Sequence, residues 1–227
     1  MPHANAFNNG ARMVVPNSTT LSRDSHDYPM LLRERLGESA PSLLKVIGGR
    51  NCLSKPMVSL VCSVRCPGSI VIKTFDAIRE MRDKGIVIIG GIHSPMEEEC
   101  LEFLLKGEQP VLMSPAKGLN RPRFSDLQKA AIDECRLTVI SIFSDEITRT
   151  TKRQSLARND FIAAVSTAVM IPYASPGGSA EAVFKQVTAR NQPVFTFEDS
   201  ENDSLLKNGA RAYGLNGVSS ILQTKRG

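Results

Sequence analysis

The run Met57-Val58-Ser59-Leu60-Val61-Cys62 predicts a buried β-strand, because nearly every position is apolar instead of every second one. Similar short runs alternate with helical patterns along the chain. They lie at residues 86–89, 110–113, 137–142, 168–171 and 193–197. Strands that are buried on both faces and separated by helices pair in parallel. We therefore predict an α/β fold: a Rossmann-like, doubly wound, mostly parallel sheet with helices on both faces.

The ends of the chain differ from its middle. Residues 1–26 are rich in Asn, Ser and Thr without a hydrophobic period, which predicts a flexible N-terminal tail. Residues 27–227 are expected to form a single extended Rossmann-like domain that folds without disulfides. The sequence has no apolar run near the roughly 20 residues of a membrane helix, and no apolar segment of a secretory signal. We therefore expect a cytoplasmic protein with reduced cysteines and no membrane partner.

The reactive side chains do not follow a metal or cofactor pattern. Cys62 and Cys66 are four residues apart, but no second Cys/His pair completes the four ligands of a structural zinc site. Gly90 and Gly91 do not have the spacing of a dinucleotide fingerprint. We expect no metal, no cofactor and no catalytic residue, although His93 lies in a loop where a general base could act.

Helix starts show where the loops after the strands end. Ser94-Pro95-Met96-Glu97 and Ser125-Asp126-Leu127-Gln128 have the pattern of capping boxes. Ser69 is predicted to cap the helix after the first strand. In a parallel sheet the loops before such helices meet at the carboxyl edge, where these folds bind ligands.

Four of these loops are suited to an anion. The first, residues 63–69, leads into a helix N-terminus and carries Arg65, whose guanidinium can bind phosphate. The second and fourth loops combine a helix start with glycines that allow close backbone approach. They are Gly90-Gly91-Ile92-His93-Ser94 and Pro176-Gly177-Gly178-Ser179. The third, residues 149–159, holds four basic residues and no acid. Together the four loops predict binding of a polyanion or a nucleotide.

The positive charge of the chain is concentrated in one segment. The chain has 28 Lys and Arg against 23 Asp and Glu, a net charge of +5. Residues 117–158 hold nine of the basic residues and five of the acidic ones, so they carry most of this excess. With nine Phe, three Tyr and no Trp, we expect a bound single strand to be held by phosphate contacts more than by stacked bases.

Several segments, in order along the chain, resemble the DNA-processing protein A family. The most specific match is Arg158-Asn159-Asp160-Phe161-Ile162-Ala163-Ala164-Val165-Ser166, which is similar to R-N-R-I-I-A-G-L-S. Residues 57–68 resemble the family's apolar strand ending in G-S-R-x-x-x-x-G, with Cys62-Ser63-Val64-Arg65 in place of G-S-R. Further similar segments are 27–32 (Y-P-x-x-L), 41–48 (P-P-x-L-x-x-x-G), 89–92 (S-G-x-A-x-G-I-D), 177–179 (S-G-S) and 208–210 (E-G-A). The resemblance covers roughly residues 27–222.

This resemblance implies an extended Rossmann core that binds single-stranded DNA, forms a homodimer and loads the RecA recombinase in natural transformation or recombination. It implies phosphate contacts by Ser63 and Arg65, and a groove lined also by Lys152, Arg153 and Arg158. The chain departs from the family's residues at three places: Cys62, His93 and the segment 154–156. The loops and the resemblance together predict these nucleic-acid or phosphate-binding residues: Ser63, Arg65, Gly68, Gly90, Gly91, Ser94, Lys152, Arg153, Arg158, Asn159, Gly177, Gly178 and Ser179.

Two other hypotheses are compatible with the sequence. The cytokinin-activating phosphoribohydrolases, often called lysine decarboxylase-like, share the fold and carry P-G-G-x-G-T-x-x-E. Here residues 176–180 lack the G-T, and Glu181 falls too early to match the E. That resemblance implies an enzyme that cleaves nucleoside monophosphates. The other hypothesis is a scaffold that keeps the fold and binds no ligand.

Overall fold

One nine-stranded sheet organises the chain. The computed structural model describes residues 18–214 together with Gly217 and Ile221. The strands are β1 (Thr19–Ser22), β2 (Leu43–Ile47), β3 (Met57–Leu60), β4 (Val87–Gly90), β5 (Val111–Met113), β6 (Leu137–Ser141), β7 (Ala168–Met170), β8 (Val194–Phe197) and β9 (Arg211–Tyr213). The α-helices are α1 (Met30–Leu36), α2 (Gly68–Asp83), α3 (Pro95–Leu105), α4 (Asp126–Asp133), α5 (Lys152–Val165), α6 (Ser179–Ala189) and α7 (Asp203–Lys207). Short 3-10 turns lie at Gly37–Ser39 and Ser200–Asn202.

The strand order confirms the predicted doubly wound topology. The order is β1-β2-β6-β5-β4-β3-β7-β8-β9. All pairs from β6 to β9 along this order are parallel, while β1 and β2 are antiparallel to their neighbours. From β3 the chain adds strands in one direction as far as β6, and then returns to the other side of β3 with β7. The gap between the carboxyl ends of β3 and β7 is therefore the topological switch point, where doubly wound sheets bind ligands.

Both faces of the sheet are covered, which is why its strands are apolar at successive positions. On one face Val58 and Leu60 of β3 pack in a core with residues of α2, α3 and α4. On the other face Met57 and Val61 pack in a second core with residues of α1, α5 and α6. The two cores confirm helices on both faces of the sheet.

Three of the helices that begin at this edge start at a capping box formed by local sequence. The capping boxes at Ser94 and Ser125 are confirmed. The prediction for α2 is wrong: its N-cap is Pro67, and Ser69 lies inside the helix. Helix α5 begins at Lys152, where Thr151 and Gln154 form a further capping box.

The boundary predicted between tail and domain needs correction. Residues 19–22, placed in the tail, form strand β1, which pairs with β2 from Thr19 opposite Val46 to Ser22 opposite Leu43. Residues 1–17 of the predicted tail lie outside the described residues. Among the residues that are described, no helix is long and apolar enough to cross a membrane.

Candidate functional site

The loops after β3 and β7 are joined at the switch point by Ser63. The backbone N–H of Ser63 donates to the carbonyl of Tyr173 at 3.1 Å, and Ser63 Oγ accepts a 2.8 Å hydrogen bond from the N–H of Ser175. The side chain is mostly buried, with 8% exposed. Ser63 therefore fixes the spacing of the two loops, and its hydroxyl keeps one hydrogen that it can donate to a ligand.

Arg65 and Gly68 lie in the exposed part of the loop between β3 and α2. Arg65 is exposed, and Gly68 is the first residue of α2. The first N–H groups of a helix lack partners within the helix and attract anions. This loop therefore offers both a guanidinium and backbone donors at the switch point.

A buried arginine holds the loop after β4 in place. Arg158 of α5 is only 1% exposed. Its Nη1 donates to the carbonyls of Gly91 and Ser114, both at 3.0 Å, and its Nε donates to Oδ1 of Asn159 at 2.7 Å. The guanidinium thus ties α5 to the loops after β4 and β5.

Gly91 is required by this packing. A Cβ atom on Gly91 would lie 2.2 Å from Nη1 of Arg158, which is far inside van der Waals contact. Gly90 is also buried, and a Cβ there would lie 3.1 Å from the side chain of Ile92. Gly91 therefore admits the Arg158 side chain from inside the protein, where the sequence predicted a ligand approaching from outside, and Gly90 leaves room for Ile92.

The buried carboxylate of Glu97 lies in the same region as Arg158 and the loop after β4, and we call Glu97 and Arg158, together with His93 beside them, the buried cluster. Oε2 of Glu97 accepts hydrogen bonds from the backbone N–H groups of His93 at 3.0 Å and Ser94 at 3.2 Å, and it lies 2.8 Å from Nδ1 of His93. Burial raises the pKa of Glu97, but the hydrogen bonds and charge of His93 and the charge of Arg158 outweigh it and lower that pKa below its ordinary 4.5. Glu97 is therefore ionised and compensates the buried Arg158.

The same loop has a strained backbone. Ile92, between Gly91 and His93, has φ of 47°, in the left-handed region that β-branched residues rarely adopt. Such a conformation costs on the order of 1–3 kcal/mol and persists only where its surroundings enforce it. Here the bonds from Arg158 to Gly91 and from His93 to Glu97 enforce it on both sides.

These contacts correct part of the predicted site. Arg158 and Asn159 do not line a groove, since they are 1% and 3% exposed and bind other parts of the protein. Ser94 is likewise buried, because its hydroxyl caps α3. The sequence did not indicate that the charges of Glu97 and Arg158 act on each other. The position of Glu97 in the capping box was the available signal, but the interaction joins residues 61 positions apart and is not visible locally.

The exposed cations of this edge form a separate group. Lys152 and Arg153 are exposed in the first turn of α5. Five more exposed basic residues lie in the loops after β3, β5 and β6. We call the whole group the edge cations: Arg65, Lys117, Arg121, Arg123, Arg149, Lys152 and Arg153. Within the described part of the chain none of them forms an ion pair, whereas Asp145 of the same loops is paired with Lys45. Their positive charge is therefore available to a ligand.

The glycine turn after β7 closes the other side of the switch point. Gly177 has φ of 69°, which favours glycine, and Gly178 is the N-cap of α6, ahead of Ser179. The N–H of Gly177 donates to Oε2 of Glu181 at 2.9 Å, and Glu181 also pairs with Lys185 at 3.3 Å. The bond from Gly177 and the pairing with Lys185 lower the pKa of Glu181 from its ordinary value. Glu181 is therefore an ionised brace of the turn.

A cavity of about 540 Å³ lies beside this turn, between it and helices α6 and α7. Tyr173, Pro176 and Phe184 form part of its wall. No group of three or more His, Cys, Asp or Glu side chains that could hold a metal ion occurs among the residues described. Among the described residues, the carboxyl edge of the sheet therefore offers cations and backbone donors to a ligand, with this cavity beside them.

Comparison with known proteins identifies the family of the chain. The family model for DNA recombination-mediator protein A matches residues 19–224, which is most of the chain. The chain belongs to this family. The match begins at β1, so it includes the strand that was predicted as part of the tail. No curated protein matches the chain.

Solved structures share the fold of this family member. DNA processing protein A (DprA) from Streptococcus pneumoniae superposes with a TM-score of 0.76 at 20% identity, covering 90% of this chain and 74% of that one. DNA processing protein A from Helicobacter pylori, described for its single-stranded DNA binding mode, has a TM-score of 0.72 at 20% identity and covers 92% and 96%. The molybdenum cofactor binding protein of Rippkaea orientalis has a TM-score of 0.53 at 13% identity and covers 75% and 97%. At these identities the likeness concerns the fold.

Proposed function

We propose that the chain binds single-stranded DNA through phosphate contacts at the carboxyl edge of its sheet. The observation that carries this proposal is the group of seven edge cations, exposed and without ion pairs among the described residues. A row of uncompensated cations attracts a polyanion and releases counterions when it binds. The Helicobacter pylori relative, described as a single-stranded DNA binder, supports the same ligand class.

The carboxyl edge of the sheet also offers backbone donors that suit phosphate. Arg65 precedes the N-terminus of α2, and Lys152 with Arg153 forms the first turn of α5. The Gly177-Gly178 turn leads into α6 beside them. Helix N-termini and exposed guanidinium groups both prefer anionic oxygens, so successive phosphates of one strand can be held by different loops.

Base stacking has a small part in this proposal. Phe124, near the edge in sequence, belongs to the core. Phe143 and Tyr173 are half-buried at the edge, so they offer limited ring surface to a base. Because phosphate contacts carry no sequence information, we expect binding with weak sequence preference.

The phosphoribohydrolase alternative has less support. It would use Glu181 on a bound nucleotide, but that carboxylate already accepts from Gly177 N–H and pairs with Lys185. Its lowered pKa makes it a poor proton donor near neutral pH. Incubation with AMP should therefore release no adenine, and release that Glu181→Ala abolishes would favour the enzyme instead.

Family membership also motivates a proposal about partners. We propose that the chain acts as a homodimer and passes its bound strand to a RecA-type recombinase. Light scattering should then give twice the mass of one chain. RecA filament formation on protein-coated single strands should be faster with this protein than without it.

The direct test of DNA binding compares two double variants of equal charge. Arg65→Ala/Arg153→Ala removes two edge cations, whereas Lys84→Ala/Lys106→Ala removes two exposed lysines from the ends of α2 and α3 at the opposite edge. Fluorescence anisotropy with labelled oligo(dT) measures the affinity of each. We expect the first variant to bind much more weakly, with a log–log salt slope about 1.4 less steep for two lost contacts. Equal weakening by both variants would mean that the edge is not the binding site.

A further inference from the structure

The loop after β4, which carries His93, lies between two loops that carry edge cations. Strand β4 pairs with β3 on one side and with β5 on the other, and Gly90 stands opposite both Leu60 and Met113. The three strands therefore end level at the carboxyl edge. The loops after β3 and β5 carry four of the seven edge cations, and the loop after β4 carries none. A strand that contacts cations of both flanking loops therefore crosses the loop after β4.

His93 is the polar side chain that this loop exposes. Gly90, Gly91 and Ser94 are buried, whereas His93 is exposed, with 35% of its side chain accessible. Within the described part of the chain, its Nε2 atom has no hydrogen-bond partner. The family pattern ends in Asp at this position, so a group that can carry a positive charge replaces an acid here. Nε2 is therefore open to an anionic ligand.

The other ring nitrogen of His93 is fixed by the buried cluster. Nδ1 lies 2.8 Å from Oε2 of Glu97 and 3.3 Å from Nη2 of Arg158. Glu97 is ionised, so an unprotonated Nδ1 would set its lone pair against a carboxylate at the shorter of the two distances. Nδ1–H therefore donates to Glu97, and Nε2 is the nitrogen that gains or loses a proton.

We propose that His93 is a further phosphate contact of the site, and that binding of a strand places a proton from solvent on its Nε2. The neutral ring has only a lone pair at Nε2, which repels a phosphate oxygen. The imidazolium has an N–H there and can donate a charged hydrogen bond to phosphate while Nδ1–H stays bonded to Glu97. Glu97 favours this cation and Arg158 opposes it, so a phosphate at Nε2 supplies a second favourable anion. This inference rests on the proposed function, because the phosphate belongs to the bound strand.

The affinity for single-stranded DNA should therefore depend on pH. The complex holds one more proton than the free protein, so the affinity is highest at low pH and falls as the pH rises through the range in which histidines titrate. One contact of several is lost, which should weaken binding about three- to tenfold. The log–log salt slope should also become about 0.7 less steep at the higher pH, because one phosphate fewer is neutralised.

The experiment measures binding of the full chain to labelled oligo(dT) by fluorescence anisotropy at about pH 5.5 and about pH 8. His93→Gln removes the titrating ring, while the backbone N–H of residue 93 can still donate to Glu97. This variant should bind like the unmodified chain at the higher pH and more weakly than it at the lower pH. His26→Gln is the matched control, because His26 is exposed in the segment before α1, and it should keep the full pH dependence.

Two further variants separate contact from positioning. His93→Lys places a permanent cation at the same position, so it should bind at both pH values about as tightly as the unmodified chain does at the lower one. Glu97→Gln removes the nearest anion of the imidazolium. In that variant the affinity should begin to fall at a lower pH than in the unmodified chain, which a purely structural role of Glu97 would not cause.

Equal affinity of the unmodified chain at both pH values would overturn the proposal, and so would a pH dependence that persists in His93→Gln. Either result leaves the proposed function intact, because the strand is still bound. If the unmodified chain binds no DNA at either pH, the proposed function itself fails, and this inference fails with it.

Discussion

Arg153 and Arg158 are five residues apart on α5 and have opposite surroundings. Arg153 is exposed and has no ion pair among the described residues, whereas Arg158 is buried and bonded to the loops after β4 and β5. The buried guanidinium shapes the loop after β4, and the exposed one is available to a ligand. The same residue type therefore serves as a structural brace or as a ligand contact, depending on burial and on the partners that the fold supplies.

The largest expected effect comes from Arg158→Met, which keeps an unbranched side chain and removes the charge. It leaves the carbonyls of Gly91 and Ser114 without a donor and removes the positive charge that helps to keep the buried Glu97 carboxylate ionised. Leaving buried polar groups without a hydrogen-bond partner costs about 1–3 kcal/mol for each group. Urea unfolding should show this loss, while Arg153→Ala leaves the unfolding midpoint nearly unchanged. Equal midpoints for Arg158→Met and the unmodified chain would contradict the assigned brace.

A smaller loss of stability is expected from Gly91→Ala. The new Cβ would lie 2.2 Å from Arg158 Nη1, so the guanidinium or the loop must shift, at a cost of about 1–3 kcal/mol. Gly177→Ala is the matched control, because no atom lies within 4 Å of a Cβ there and only its φ of 69° is unfavourable, which costs about 1 kcal/mol. If Gly177→Ala destabilises the protein more than Gly91→Ala in thermal unfolding, the explanation that close packing against Arg158 requires glycine at position 91 is wrong.

The pH dependence of stability gives a finer test of the buried cluster. Because the pKa of Glu97 is lower in the folded protein than its ordinary 4.5, its contribution is complete above that pH and is lost as the pH falls through the folded pKa. Glu97→Gln keeps an oxygen that can accept from His93 and Ser94 but does not titrate. The difference in stability between the unmodified chain and the variant should therefore shrink on acidification below 4.5. A constant difference across that range would exclude a lowered pKa of Glu97 in the folded protein.

The sequence predicted what depends on local pattern. The buried strands followed from apolar runs, and the capping boxes at Ser94 and Ser125 followed from residues three apart. The same pattern at Thr151 and Gln154 was present in the sequence and was overlooked. Strand β1 was missed because Thr19-Thr20-Leu21-Ser22 is short and polar, and its pairing with β2 defines it.

The candidate site was predicted only in part, because burial depends on contacts between distant segments. Arg65, Lys152 and Arg153 are exposed as expected. The burial of Arg158 depends on its bonds to Gly91, 67 positions away, and to Ser114, 44 positions away. No local sequence pattern brings these residues together. A charged residue in a basic segment therefore gives no indication of whether it faces solvent or the protein interior.

The most direct test of the account is a salt titration of binding to single-stranded DNA, duplex DNA and AMP. If the edge cations hold a strand, the affinity for single-stranded DNA should exceed that for the other two ligands. A plot of the logarithm of its binding constant against the logarithm of salt concentration should have a slope of about −0.7 for each phosphate contacted. Because a strand contacts several phosphates and AMP has one, the slope for single-stranded DNA should be several-fold steeper than that for AMP. Binding of AMP with equal or higher affinity, or a shallow salt slope for single-stranded DNA, would contradict the account.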